Sequence, residues 1–305
     1  MQLFKWSMLL VSLLTTSSAI AQGEVELTAL DIMDAVKNNL KAERYVYEEI
    51  SAILTDQSGH RDTRQLRKFT RISDNNVIKF LLVFDKPEEY EGVAILVEQV
   101  MDSEPKVYLY LPASGELLKH LSLWNDNEGL FGMDFSLSQI SFIFNDNYEY
   151  VRQADRKITE VNYYVIDVYE NAENSDDSLP IMTHQVCQDD MFITRTIFYD
   201  QHGKIIKQLS THDLNKNSEN VLNAAMLYMI DRRKLHSTLI KVNKRVVSSS
   251  IVSNKVFTAN WMFENKPPLD LSPTEEEQLE SELIDANLNT FDESIVKVPQ
   301  NRGHK

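Results

Sequence analysis

From Tyr45 onward the apolar residues stop recurring at helical spacing and begin to alternate, and this change of period constrains the chain more than any other feature. Over 45–56, Val46, Ile50, Ala52 and Leu54 share one side of an extended segment. Gln57-Ser58-Gly59-His60 is a turn, a polar strand follows over 61–73, and Asp74-Asn75-Asn76 turns the chain into Val77 to Phe84. That is a three-stranded meander joined by hairpin turns. Further strands are expected at 92–101, 106–111, 116–122, 147–154, 158–170, 181–188, 192–200, 203–211, 236–247 and 256–263. Turn chemistry such as Pro112-Ala113-Ser114-Gly115 and Asp200-Gln201-His202-Gly203 separates neighbours. No strand–helix–strand alternation points to a parallel sheet. The expected class is therefore α+β, mainly antiparallel β.

Helices interrupt the pattern in few places. Thr28 with Asp31 forms a capping box, and Leu30, Met33, Val36 and Leu40 follow at steps of three or four, so a helix is expected to end near 41–44. Ser136 and Gln139 form a second capping box ahead of Ile140, Phe142, Ile143 and Phe144. Residues 220–231 fit a helix or a strand, with a lean to helix in the first half. Pro267-Pro268 closes the strand region. The segment 265–305 then carries nine Asp/Glu against four Lys/Arg, and Ser272-Pro273-Thr274-Glu275 opens an expected helix over 273–286. Beyond 287, disorder is expected.

The first 21 residues read as an export signal: Lys5, an apolar stretch Met8–Leu14, and Ala19-Ile20-Ala21 before a cut at Gln22. The apolar stretch is far shorter than the ~20 residues of a membrane span. Three segments follow: a signal peptide 1–21, a β-rich domain 22–264, and an acidic tail 265–305. A periplasmic location is expected. Cys187 stands alone, so no intramolecular disulfide can form and the core must hold the exported fold by itself. The 43% hydrophobic content is enough for that core. The formal net charge of −15 argues against nucleic acid and anionic membrane surfaces as partners.

The chemical inventory is thin. There is no nucleophile elbow, no Gly-rich phosphate loop and no His-Glu-x-x-His, so no catalytic residue and no cofactor are expected. The seven histidines are scattered. His184 and Cys187 lie three apart on a strand, hence on opposite faces, and read as a surface histidine beside a buried thiol. Asp126, Glu128 and Asp134 read as a solvated acidic loop rather than a calcium site; no metal is expected. The apolar content exceeds what one flat sheet needs. Such a sheet must curl or be covered, and a curled one encloses a hollow. The loop 130–135, unusually apolar for a connection, reads as a plug or lid over that hollow.

Several stretches, in order, resemble the family of LolA-like outer-membrane lipoprotein-sorting proteins, in the branch associated with RND-type exporters. Phe84-Asp85-Lys86-Pro87 with Gly92 and Leu96 resembles its F-x-x-P…G-x-x-x-L segment. Tyr108-Leu109-Tyr110-Leu111-Pro112 resembles a strand end of the family. Gly132-Met133-Asp134-Phe135-Ser136 resembles its G-S-D-F-S loop, with Met133 in place of the serine. Tyr199 to Lys207 resembles a hairpin, and Thr238, Ile251, Phe257 and Met262 echo the closing strands. The resemblance covers roughly 28–264. It implies an incomplete, half-open β-barrel with helices over the open side, and a cavity for the acyl chains of a lipid or lipoprotein. The expected function is a periplasmic carrier that transfers such cargo between membranes or to an exporter. The alternative is a non-catalytic accessory protein that docks on a membrane transporter or sensor through the acidic helix. Leu96, Leu109, Phe131, Met133, Phe135, Ile140 and Phe144 are the expected ligand-binding residues.

Overall fold

The computed structural model describes residues 26–73, 77–100, 103–119, 129–141, 148–170, 179–217 and 221–264. The expected leader 1–21, the acidic tail with its helix 273–286, and Phe144 lie outside them. Six strands lead off the sheet: β1 (Tyr45–Thr55), β2 (Arg61–Ile72), β3 (Ile78–Lys86), β4 (Ala94–Gln99), β5 (Lys106–Leu111) and β6 (Glu116–Lys119). Three more follow the plug segment: β7 (Tyr148–Arg152), β8 (Arg156–Ile158) and β9 (Val161–Glu170). The last five are β10 (Met182–Cys187), β11 (Phe192–Tyr199), β12 (Ile205–Lys216), β13 (Leu222–Asp231) and β14 (His236–Val247). The helices are α1 (Ala29–Leu40), α2 (Leu137–Ser141) and α3 (Ala259–Glu264).

All these strands form one antiparallel sheet in the order β6-β5-β4-β3-β2-β1-β14-β13-β12-β11-β10-β9-β7, with β8 paired to β9. Two meanders are thus fused where the first strand pairs with the last. β6 and β7 remain as edges, so the sheet curls into a half-open barrel without closing. Bulges at Glu49/Ile50 and Gln65/Leu66 sharpen the twist on one side, and those at Gln185/Val186 and Phe198/Tyr199 do so on the other.

Register assigns the faces, because directly opposed residues of antiparallel strands lie on the same side. One row runs Leu54, Thr238, Met229, Leu209, Thr196, His184. It defines the inner face, whose core includes Ile50, Leu66, Phe80, Leu82, Phe84 and Ile95. A parallel row runs Tyr47, Phe69, Leu81, Leu96, Tyr108 and defines the outer face. The outer face of β1–β5 is covered by the segment after β14, through Val252, Val256, Phe257 and Met262. Aromatic contacts reinforce this cover: Phe69 meets Trp261 edge-on at 5.2 Å and Tyr110 meets Phe263 at 5.0 Å. α1 covers the inner face at the other half, burying Ile32, Met33 and Val36 against Ile166 and Val186. Its capping box is present as expected: Asp31 N–H donates to Thr28 Oγ1, and Thr28 N–H to Asp31 Oδ2.

Three expectations are corrected. Residues 222–231 are strand throughout, because β12 and β14 pair with β13 on both sides and Leu227 and Met229 alternate onto the inner core. Local preference yields there to the ladder. Residues 256–263 are not a strand. Thr258 caps α3, accepting from Trp261 N–H at 3.3 Å, and Met262 turns inward onto the outer-face core. His184 is not on the surface: α1 covers its face, the side chain is buried, and it bonds to Thr196 Oγ1 at 2.8 Å. Burial lowers its pKa to about 4, so the ring is neutral.

Candidate ligand-binding site

The chain between β6 and β7 must pass from one open edge of the sheet to the other, and residues 129–141 lie across the inner face on the way. The local turn demands its sequence. A side chain at Gly129 would meet the Met133 carbonyl oxygen at 1.8 Å, and Gly132 sits at φ +84°, where glycine is at ease. The turn then sinks Leu130, Met133, Phe135, Leu137 and Ile140 into the inner core. Phe131 packs edge-on against Phe84 at 4.8 Å and Tyr90 at 5.3 Å. Ser136 and Gln139 cap α2 reciprocally, as expected.

A buried polar latch pins this plug to the sheet. Asp134, fully buried, receives Thr238 Oγ1–H on Oδ2 at 2.8 Å, and its own N–H donates back to Thr238 Oγ1 at 2.9 Å. His236 Nδ1 lies 2.7 Å from the same Oδ2. Lys207 Nζ donates to the Asp134 carbonyl oxygen at 2.8 Å and lies 3.9 Å from Asp231. Burial pushes the Lys207 pKa down, a shift that Asp231 opposes. Asp134 therefore belongs to the latch and not to a solvated loop; Asp126 and Glu128 lie outside the described residues. Among the described residues no group of His, Cys, Asp and Glu is placed to hold a metal ion.

Beside the plug the inner face is not filled. A cavity of about 150 Å³ lies between α1, α2 and strands β1, β2, β3, β13 and β14. Its apolar wall includes Ile50, Leu66, Ile78, Ile140, Leu227 and Ile240. Its polar wall is a row of ions set by the register. Glu48 on β1 stands opposite Lys68 on β2 and Arg245 on β14. Lys68 Nζ lies 2.9 Å from Glu48 Oε2, and the Arg245 guanidinium bridges Glu48 and Glu43, the latter at 2.7 Å. Asn217 and Asn223 donate to the same Glu43 carboxylate. Burial pushes the Glu48 carboxyl up, but Lys68 and Arg245 together hold it below the ordinary carboxylate range. Lys37 and Lys41, at the end of α1, complete this wall.

Of the expected binding residues, Ile140 lines the cavity. Leu109, Met133 and Phe135 are buried in the inner core beside it, and Phe131 is partly buried against that core. Leu96 lies on the outer face, under the segment after β14. The ion row was not foreseen. Its signal is a gap in phase: Glu48 falls between Val46 and Ile50 on the very face whose other members are apolar.

These features define a curled antiparallel β-scaffold with a hollow on its inner face, and comparison with known proteins agrees on the fold. A family model described as an uncharacterized protein matches residues 77–264, more than half of the chain, and the chain belongs to that family. No curated protein matches the chain. Three solved structures share its architecture. A domain assigned to outer-membrane lipoprotein sorting from Vibrio parahaemolyticus aligns with a TM-score of 0.68 and 19% identity, over 77% of this chain and 98% of that one. A DUF1329-family protein from Desulfovibrio piger gives 0.63 and 16%, over 77% and 99%. A LolA-superfamily protein from Nitrosomonas europaea gives 0.58 and 13%, over 77% and 100%. The half-open, LolA-like fold expected from the sequence is the fold of this chain.

Proposed function

We propose that this protein is a periplasmic carrier that takes an acyl chain of a lipid or lipoprotein against the inner face of its sheet, for transfer between membranes or to an exporter. The observation that carries the reading is a cavity with one apolar wall beside a discrete plug. An apolar cavity of about 150 Å³ accepts a group the size of benzene. The resting hollow therefore receives a first stretch of tail, and a longer chain enters as the plug withdraws. Each buried methylene contributes about 0.8 kcal/mol, so ten give roughly 8 kcal/mol before ordering costs. That gain binds cargo yet leaves it releasable, and no covalent step is required. The lipoprotein-sorting assignment of the Vibrio structure is compatible with this role.

The test is to purify the protein from periplasm, verify that it is folded, extract it with organic solvent and analyse the extract by mass spectrometry. Alkyl-chain molecules recovered in near-stoichiometric amount are the expected result. Folded protein that carries no such molecule, and takes up none when offered, overturns the proposal.

A further inference from the structure

The cavity is not uniformly greasy, and the distribution of charge along its polar wall narrows the class of ligand. Lys37, Lys41, Lys68 and Arg245 line it against only Glu43 and Glu48, a surplus of positive charge in a chain whose formal net charge is −15, with Lys68 already paired to Glu48 and the Lys37 ammonium 5.6 Å from the Tyr150 ring centroid. The carboxylates are also the less available partners. The side chains of Glu48 and Glu43 keep 2% and 4% of their surface, whereas Arg245 keeps 27%. Each buried carboxylate is occupied by cations and amides of the protein itself: Glu48 by Lys68 and Arg245, Glu43 by Arg245, Asn217 and Asn223. A ligand head that reaches this wall meets guanidinium and ammonium rather than carboxylate. Guanidinium and ammonium donate hydrogen bonds and accept none, so the complementary head is an anionic acceptor. The apolar wall of Ile50, Leu66, Ile78 and Ile140 lines the same hollow and suits a hydrocarbon.

From this we infer that the cavity selects amphiphiles whose alkyl chain ends in a carboxylate or phosphate, with the head held at the Arg245–Lys37–Lys41 end and the tail directed along the apolar wall toward α2. The inference rests on the carrier reading and adds to it the chemistry and the orientation of the cargo. Lys37 and Lys41 also suit the negative end of the α1 dipole. That structural role predicts a change in stability when they are replaced, but no change in head-group preference.

The experiment is calorimetric titration of the full exported chain with four twelve-carbon probes below their critical micelle concentrations: dodecanoate, dodecyl phosphate, dodecanol and dodecyltrimethylammonium. Inorganic phosphate is run beside them. The anionic probes are expected to bind at least tenfold more tightly than dodecanol, and the ammonium probe more weakly than dodecanol. The double variant Lys37→Gln, Lys41→Gln is expected to shrink the anionic advantage, read as the ratio of dodecanoate to dodecanol affinity in the same variant, several-fold. Glutamine keeps nearly the helix propensity of lysine, so α1 is preserved. Equal binding of all four alkyl probes, or an advantage that survives the double substitution, overturns the head-group inference and leaves the carrier reading standing. Binding of none of the alkyl probes, or of inorganic phosphate as tightly as dodecyl phosphate, overturns the carrier reading itself and this inference with it.

Discussion

If residues 129–141 act as a lid, breaking the latch must loosen them without loosening the sheet, and Thr238→Val is the substitution that asks this. Valine matches threonine in shape and suits a strand, so β14 keeps its ladder. What is lost is Oγ1, which donates to Asp134 Oδ2 and accepts from Asp134 N–H. A hydrogen bond to a charged group contributes about 1.5–3 kcal/mol, and a buried N–H left without a partner costs about 1–3 kcal/mol. The other carboxylate oxygen, Asp134 Oδ1, is buried and has no hydrogen-bond partner among the described residues, so little compensation is at hand. The lower ends of these ranges sum to about 2.5 kcal/mol, roughly a hundredfold in an equilibrium constant. Hydrogen exchange reads where it falls. The amides that hold the plug together, Leu130 N–H to Phe135 O, Met133 N–H to Leu130 O and Ile140 N–H to Ser136 O, are expected to exchange about a hundredfold faster. Peptides of β12–β14 are expected to keep wild-type protection. Equal acceleration in plug and sheet would show that the two open as one unit, and unchanged exchange in the plug would show that the latch does not hold it. Either result refutes the lid.

Three further substitutions separate the site from the rest of the fold. His184 has its pKa lowered to about 4 by burial, against 6.5 in the unfolded chain, so between these values the unfolded state binds the extra proton and stability falls as pH falls. Denaturant titrations of the wild type are expected to lose about 3 kcal/mol across that window from this group. His184→Gln, which can keep the bond to Thr196, should flatten that part of the slope; an unchanged slope refutes the assignment. Ile140→Trp fills the cavity and is expected to lower alkyl affinity at least tenfold. Leu96→Ala, on the outer face, is expected to cost about 2–5 kcal/mol of stability and leave alkyl affinity unchanged; competition binding beside thermal melts distinguishes the two.

Which parts of this architecture the sequence reveals follows from how each strand is buried. In β1 one face is mostly apolar and the other mixed, so Val46, Ile50, Ala52 and Leu54 could be placed together from period alone, and they do share the inner face. The capped starts of α1 and α2 were equally legible, because capping is local chemistry. Leu96 was not. Phe80 to Phe84 on the neighbouring β3 are all fully buried, since the plug covers one face and the segment after β14 covers the other. With both faces apolar, period two carries no sign, and only the register with β3 and β5 puts Leu96 outside. The ion row is the converse case. Glu48 interrupts an apolar face in phase, but its partners Lys68 and Arg245 lie on β2 and β14, and no local pattern announces that those strands flank β1.

The two covers of the sheet differ in kind, and the difference bears on how a carrier of this fold would open. The outer cover is held mainly by apolar and aromatic contacts from Val252 to Phe263, whose strength grows with area, with one charged hydrogen bond from Arg71 Nη1 to the Val252 carbonyl oxygen at 3.0 Å. The inner plug also buries apolar side chains, but a directional latch on Asp134 sets its position. Were an alkyl chain to move in, it would cover the apolar wall that the plug uncovers, and the hydrophobic cost of lifting the plug would be largely offset by the cargo. The latch is not offset in this way, because hydrocarbon supplies neither a donor nor an acceptor. The barrier to loading then resides mainly in Thr238, His236 and Lys207. Because the latch is lost in the loaded state and not replaced, substitutions among these residues should raise alkyl affinity as well as the rate of uptake, whereas substitutions along the cavity wall should lower affinity.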